Sequence, residues 1–136
     1  MIKIFVFDTN SLISAHLLPN SVTRQAYNLA MYKGILVHSV DTLREFTETF
    51  ARSKFDKYVN PALRHKAISV FEKRSFLIDI AIQIKECRDV KDNKFLELAV
   101  ASMADCIVTG DNDLLVMHPF RDIPVLTASN FVASFQ

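Results

Sequence analysis

Two short apolar segments that end in acidic residues constrain this chain more than any other feature. The first, residues 2–7 (IKIFVF), is apolar apart from Lys3 and is followed at once by Asp8. The second, residues 106–108 (CIV), runs into an acidic turn, TGDND at residues 109–113. Apolar and β-branched runs of this kind are typical of strands in a parallel sheet covered on both faces. We therefore predict two buried strands, each with carboxylates just beyond its carboxyl end.

The segment before the second strand predicts a helix with a further acid on its buried side. The stripe that begins at Asp92 contains Phe95, Leu96, Ala99 and Met103. These spacings place the carboxylate and the apolar side chains on one face of a helix. In open α/β sheets, ligands bind in the crevice beyond the carboxyl ends of the strands. If the two strands are neighbours, Asp8, Asp92 and Asp111 converge in such a crevice.

The remaining segments alternate between helical and strand-like patterns. We expect further strands at residues 35–38, 76–80 and 123–126. We expect helices at residues 11–18, 21–33, 61–73 and 81–87, a helix capped by Ser39 or Asp41, and a closing helix capped by Thr127. Strands separated by helices predict an α/β fold, a three-layer sandwich with a central, mostly parallel sheet and Rossmann-like right-handed crossovers. By length, residues 1–136 form a single domain.

Composition excludes several classes of protein. No apolar run approaches the roughly 18 residues of a membrane span. The amino-terminal segment is itself strand-like and has no signal-peptide pattern, so we expect a cytoplasmic protein without a membrane partner. Cys87 and Cys106 are too widely spaced for a CxxC site and are expected to be reduced thiols. The four histidines are far apart, without the spacing of metal ligands.

Charge is distributed unevenly along the chain, although its net value is only +1. Residues 44–74 contain eight Lys or Arg and four Asp or Glu. Residues 79–113 contain four Lys or Arg and eight Asp or Glu. A basic surface beside an acidic centre suits a polyanion held over a metal site. Candidate phosphate contacts in the basic region are Arg44, Arg52, Lys54 and Lys57. Ordinary solvated helix faces would give the same counts.

Four segments together resemble the PIN-domain ribonucleases, in particular the bacterial branch related to the VapC toxins of toxin-antitoxin modules. They are VFDTNSLISA from residue 6, with Phe5 before it, VDTLREF around Glu45, RDVKDNKFLELAVASMAD, and IVTGDNDLL from residue 107. The segments span nearly the whole chain in the family's order. The terminal segment is the specific one, whereas the DTN opening alone would not be.

The resemblance implies an acidic quartet around a divalent metal, formed by Asp8, Glu45, Asp92 and Asp111. It adds Asp113 as a further metal ligand, Asp89 as an assisting neighbour, and Asn10 and Thr109 as polar support. Asp92 is preferred to Asp89 as the third acid because it lies on the inward stripe. Glu45 has no such support from periodicity, since it lies away from the apolar face of its own helix. The resemblance also implies a cognate antitoxin partner and a homodimer.

A metal would relieve the repulsion among these acids. Carboxylates about 5 Å apart repel by roughly 3 kcal/mol per pair at an effective dielectric constant near 20. Oxygen-only ligands favour Mg²⁺ or Mn²⁺ over zinc. The resemblance, together with this metal preference, implies metal-dependent endoribonuclease activity on RNA, as the toxin of a toxin-antitoxin pair.

Simpler structural roles and other functions remain open at this point. Asp8 and Asp92 could be helix caps and nothing more. Asp111 and Asp113 could be ordinary turn residues. A haloacid-dehalogenase-like phosphatase would need a second acid two residues after Asp8, where this chain has Asn10. A non-catalytic module that binds RNA or a protein partner would keep the fold without the activity.

Overall fold

Five strands and seven helices alternate along the chain, and the computed structural model describes every residue from 1 to 136. The strands are β1 (Lys3–Phe7), β2 (Gly34–His38), β3 (Phe76–Leu77), β4 (Cys106–Val108) and β5 (Val125–Leu126). The helices are α1 (Thr9–Leu17), α2 (Val22–Lys33), α3 (Val40–Phe50), α4 (Pro61–Arg74), α5 (Asn93–Ser102), α6 (Asn112–Leu115) and α7 (Ala128–Phe135). None of these helices has the length and hydropathy needed to cross a membrane.

Side-chain caps determine where several helices begin. The caps of α2, α3, α4 and α7 are Ser21, Ser39, Asn60 and Thr127. Each accepts a hydrogen bond from the backbone N–H three residues later, an interaction that contributes about 1 kcal/mol. Of the two caps considered for α3, Ser39 is correct and Asp41 lies in the first turn.

All five strands are parallel, in the order β3-β2-β1-β4-β5, which confirms the expected parallel sheet. Alternate residues of β1 point into two separate cores. Phe5 and Phe7 pack with side chains of α1 to α4 and α7, whereas Val6 packs with side chains of α5 and α6. The sheet is therefore covered on both faces, as the three-layer prediction requires.

The strand order reverses between β1 and β4. The chain proceeds outward from β1 through β2 to β3, and then returns to the other side of β1 with β4 and β5. Phe7 and Val108 are paired in the register, so the carboxyl ends of β1 and β4 lie side by side. Such a reversal opens a crevice at the carboxyl edge of the sheet, where ligands bind in folds of this class.

Three local predictions are wrong. The strand expected at residues 76–80 contains only Phe76–Leu77, and residues 81–87 form no helix. In that irregular segment, the N–H groups of Ile84 and Cys87 donate to side chains of α5. Met103 ends α5 in a left-handed conformation, with φ of 54°, and is exposed instead of lying on the buried stripe.

Candidate functional site

The crevice between β1 and β4 brings together acids from three parts of the chain. One carboxylate oxygen from each of Asp89, Asp92, Asp111 and Asp113 lies within 4.8 Å of the others. We call these four residues the acidic cluster. Oxygens opposite one another around Mg²⁺ are about 4.2 Å apart. Small side-chain movements would therefore suffice for these oxygens to share one cation.

Asp92 is the most unusual member of the acidic cluster. It stands at the N-cap position of α5 but makes no capping hydrogen bond, so the simple capping role does not describe it. It is 8% exposed, and its Oδ2 atom is buried without any hydrogen-bond partner. Burial, contact with the Asp111 carboxyl group and nearby negative charges raise the pKa of Asp92 to about 8. This atom needs either a proton or a cation.

The other three members of the acidic cluster each use one oxygen in the protein. Asp89 Oδ1 accepts from the Lys91 N–H at 3.1 Å, and Asp111 Oδ1 accepts from the Asp113 N–H at 2.9 Å. Asp113 Oδ1 accepts from Arg88, at 3.0 Å from Nε and 2.8 Å from Nη2. Apart from the contact between the Asp92 and Asp111 carboxyl groups, each second oxygen makes no hydrogen bond within the protein. The structural and the ligating roles of these acids are therefore compatible.

Asp8 lies beside the acidic cluster and not within that set of four. Its Oδ1 accepts from the Ser11 N–H at 2.9 Å, which caps α1. Its Oδ2 accepts from the Thr109 hydroxyl at 2.5 Å, and the same hydroxyl accepts from the Asp111 N–H at 2.9 Å. Burial raises the pKa of Asp8, with a smaller contribution from the charge of Asp111, while its hydrogen bonds act in the opposite direction. Thr109 thus links the two strand ends.

Glu45 is also outside the acidic cluster, and its surroundings explain why helix periodicity gave it no role. It is partly buried on α3, where it accepts a hydrogen bond from the Thr9 hydroxyl at 2.6 Å and pairs with Lys94 of α5. Thr9 directly follows Asp8, so this pair lies next to the site. Sequence reasoning missed Thr9, Lys94 and the Arg88 contact, because all three are defined by partners distant in sequence.

The other predicted site residues lie on the surface. Asn10 is exposed at the start of α1, and Arg44 is exposed on α3, where it pairs with Asp41 at 3.3 Å. Arg52, Lys54 and Lys57 are exposed in the connection between α3 and α4, which contains a 3₁₀ turn at Ser53–Phe55.

The donor set fits a hard divalent cation. The acidic cluster contains only carboxylates, and burial raises the pKa of the adjacent Cys87, so its thiol is a poor metal ligand near neutral pH. The unpartnered Asp92 oxygen supplies the specific place for positive charge. The residues present therefore fit a Mg²⁺ or Mn²⁺ ion better than zinc.

Comparison with known proteins identifies relatives of this chain. The uncharacterized protein MJ1680 of Methanocaldococcus jannaschii is 34% identical over 115 residues, which are 83% of this chain and 74% of that protein. The solved structure of VapBC2 from Rickettsia felis bound to a DNA fragment from their promoter has a similar fold. It has a TM-score of 0.59 at 18% identity, covering 90% of this chain and 96% of that one.

A family model described as the PIN domain matches residues 5–113. The match begins in β1, ends in α6, and contains every acid discussed above. The haloacid-dehalogenase-like alternative loses its support, because the family model that matches this chain is that of the PIN domain. With most of its length and its whole acidic site inside the matched region, the chain belongs to the PIN-domain family.

Proposed function

We propose that this protein is a metal-dependent endoribonuclease and the toxin component of a toxin-antitoxin module. The observation that carries the proposal is the buried, unpartnered Asp92 oxygen within the acidic cluster of a PIN-domain fold. An acid with only a surface role would stay in contact with water. A carboxylate that is buried without a partner is expected where a cation binds.

The chain's own residues have distinct roles in this proposal. Asp92, Asp111 and Asp113 hold a Mg²⁺ or Mn²⁺ ion, and the nearby Asp89 and Asp8 add negative charge. When bound, such an ion lowers the pKa of a coordinated water and stabilises negative charge on phosphate oxygens.

Neighbouring groups orient the carboxylates of Asp8 and of the acidic cluster. Thr109 and Arg88 hold Asp8 and Asp113 through hydrogen bonds, which restricts both side chains. The exposed Arg52, Lys54 and Lys57 would meet the RNA backbone and set its register. Glu45 takes part as a positioning residue, since it pairs with Lys94 and accepts a hydrogen bond from Thr9, the residue after Asp8.

The toxin role and the partner rest on similarity. The sequence resembles the VapC toxins, and the fold is shared with VapBC2, whose structure shows it bound to a DNA fragment from their promoter. We infer a cognate antitoxin for this chain on that basis, together with a cytoplasmic location.

Cleavage of RNA by the purified, antitoxin-free protein tests the proposal. A mixed set of structured and single-stranded RNAs is incubated with Mn²⁺, Mg²⁺ or EDTA, using the wild type, Asp8→Asn and Asp92→Asn. The matched control is Asp122→Asn, an exposed acid in a left-handed conformation that asparagine also adopts. We expect cleavage that requires the metal, survives in the control and is lost in both site variants.

Failure would take a specific form. If the folded wild type binds RNA but cuts none of these substrates with either metal, the catalytic proposal is wrong. The protein would then be a non-catalytic RNA-binding module with a PIN fold.

A further inference from the structure

A cavity of about 380 Å³ lies beside the acidic cluster, and the roles assigned above leave it unused. One wall is the turn after β4, residues 109–111, which includes Asp111 of the acidic cluster. The other walls come from the first turns of α1, α2 and α7. The cavity and the candidate metal site are therefore continuous.

The lining of this cavity is polar but almost uncharged. Only Asp111 carries a charge, and Val22 and Ala128 are the only apolar residues among the eleven that line it. No lysine, arginine or aromatic residue is present, so no side chain of the cavity can pair with a phosphate or stack on a base. Hydroxyl and amide groups dominate it. This chemistry suits a neutral ligand that both donates and accepts hydrogen bonds.

Several of these polar groups are free to bind a ligand. The side chains of Asn10, Ser14, Thr23 and Ser129 line the cavity and form no hydrogen bond within the protein. In contrast, the Thr109 hydroxyl is fully engaged with Asp8 and Asp111. The free groups surround the cavity from three helices, whereas the engaged group lies at its boundary with the metal site.

We propose that this cavity is a ribose subsite, which holds the sugar next to the scissile phosphate and recognises its 2′-hydroxyl group. The proposal rests on the ribonuclease function proposed above and extends it to the choice of RNA over DNA. Asp111 belongs both to the acidic cluster and to the cavity wall, so a phosphate at the cluster places the adjoining sugar at the cavity. The 2′-hydroxyl is the group that distinguishes RNA from DNA at a single position.

Single-atom changes in the substrate test the subsite directly. RNA oligonucleotides of one cleavable sequence carry a single 2′-deoxynucleotide at each position around the cut bond, and kcat/KM is measured with Mn²⁺. The variants are Thr23→Val and Ser129→Ala, and the control is Thr49→Val on α3, outside the cavity. Each variant removes a hydroxyl with little change in size.

Both the substrate changes and the protein variants should alter kcat/KM. For the wild type, one 2′-deoxy position lowers kcat/KM by about 2- to 10-fold, the range of one neutral hydrogen bond, and other positions have little effect. Thr23→Val and Ser129→Ala lower kcat/KM on RNA and reduce the penalty at that position. Thr49→Val keeps both values of the wild type.

Two results separate failure of this subsite from failure of the nuclease function. If RNA is cut but no single 2′-deoxy position matters, the subsite is wrong and the nuclease function stands. If the wild type cuts no RNA, fluorescence anisotropy compares its binding of RNA and DNA oligonucleotides of one sequence. A preference for RNA that weakens in Thr23→Val then supports the subsite alone, and equal binding overturns both.

Discussion

Replacing Asp92 by asparagine should make the metal-free protein more stable at neutral and alkaline pH. The substitution keeps the shape of the side chain and removes a buried carboxylate whose Oδ2 has no partner. An amide at this position cannot ionise. The wild type, by contrast, must accommodate a charge in the acidic cluster as the pH rises.

The sign follows from the pKa of Asp92, which is about 8 in the folded protein against an ordinary value of 3.8. The folded state holds this proton more tightly than the unfolded chain does. Stability from this group is therefore complete below about pH 4 and is lost as the pH rises toward 8. A shift of this size corresponds to at most about 4 kcal/mol between pH 5 and pH 8. Because the neighbouring carboxylates share the proton, we expect roughly 1–3 kcal/mol.

Metal should remove or reverse the difference in stability between the two proteins. In EDTA at pH 8, Asp92→Asn should unfold at a temperature several degrees above that of the wild type, and the difference should vanish near pH 4 to 5. Saturating Mn²⁺ should raise the midpoint temperature of the wild type. At a Mn²⁺ concentration about 100 times the dissociation constant, the gain in the free energy of unfolding is about 2.7 kcal/mol. The variant has lost a ligand and should gain much less.

Thermal unfolding by circular dichroism across pH, with EDTA or Mn²⁺, measures all of these quantities. Asp122→Asn is the control, and it should follow the wild type under both conditions. The reasoning is refuted if Asp92→Asn is less stable than the wild type in EDTA at pH 8, or if Mn²⁺ stabilises both proteins equally. Either result would mean that Asp92 has a structural partner, or that the ion binds elsewhere.

Three further predictions concern residues around the site and in the core. A double-mutant cycle of Glu45→Gln and Lys94→Met, measured by urea unfolding, should give a coupling of about 1 kcal/mol, since both side chains are less than a third exposed. Gly34→Ala should lower the free energy of unfolding by about 1–3 kcal/mol, because the added Cβ would lie 2.1 Å from the Lys3 carbonyl oxygen. The added Cβ of Gly110→Ala meets no atom within 4 Å, so this substitution should leave the stability nearly unchanged. Burial raises the pKa of Cys106 to about 12, so its thiol should resist labelling at pH 8 until the protein unfolds, and rapid labelling of folded protein would contradict this.

Much of the fold could be predicted because local chemistry specifies it. Helix caps such as Ser21 and Thr127 mark their own positions, and β1 and β4 are apolar runs followed by acids. The helix predicted at residues 81–87 is wrong for the opposite reason. Its backbone N–H groups bond to side chains of α5, so its conformation depends on partners that no local pattern reveals.

The candidate site was predictable in part. Asp8, Asp92 and Asp111 were expected to converge if β1 and β4 were neighbours, and those strands are paired. The prediction that Glu45 belongs to the site depended on family resemblance. In the structure, Glu45 pairs with Lys94 and lies outside the acidic cluster. The presence of Asp89 in that cluster follows from the 3₁₀ turn at Val90–Asp92, which the helical stripe did not predict.

The same local structures that suggest ordinary roles for these acids also prepare them for a cation. Asp111 caps a helix and Asp89 caps the 3₁₀ turn, each with one oxygen, so the backbone fixes the side chain while the second oxygen stays free. Capping and ligation therefore do not compete. Asp92 alone has no capping bond, so without a metal only a proton compensates for its burial, and that proton is lost as the pH rises. A residue that weakens the fold without a partner is best explained by the ion that would bind it, which is why its substitution is the decisive experiment.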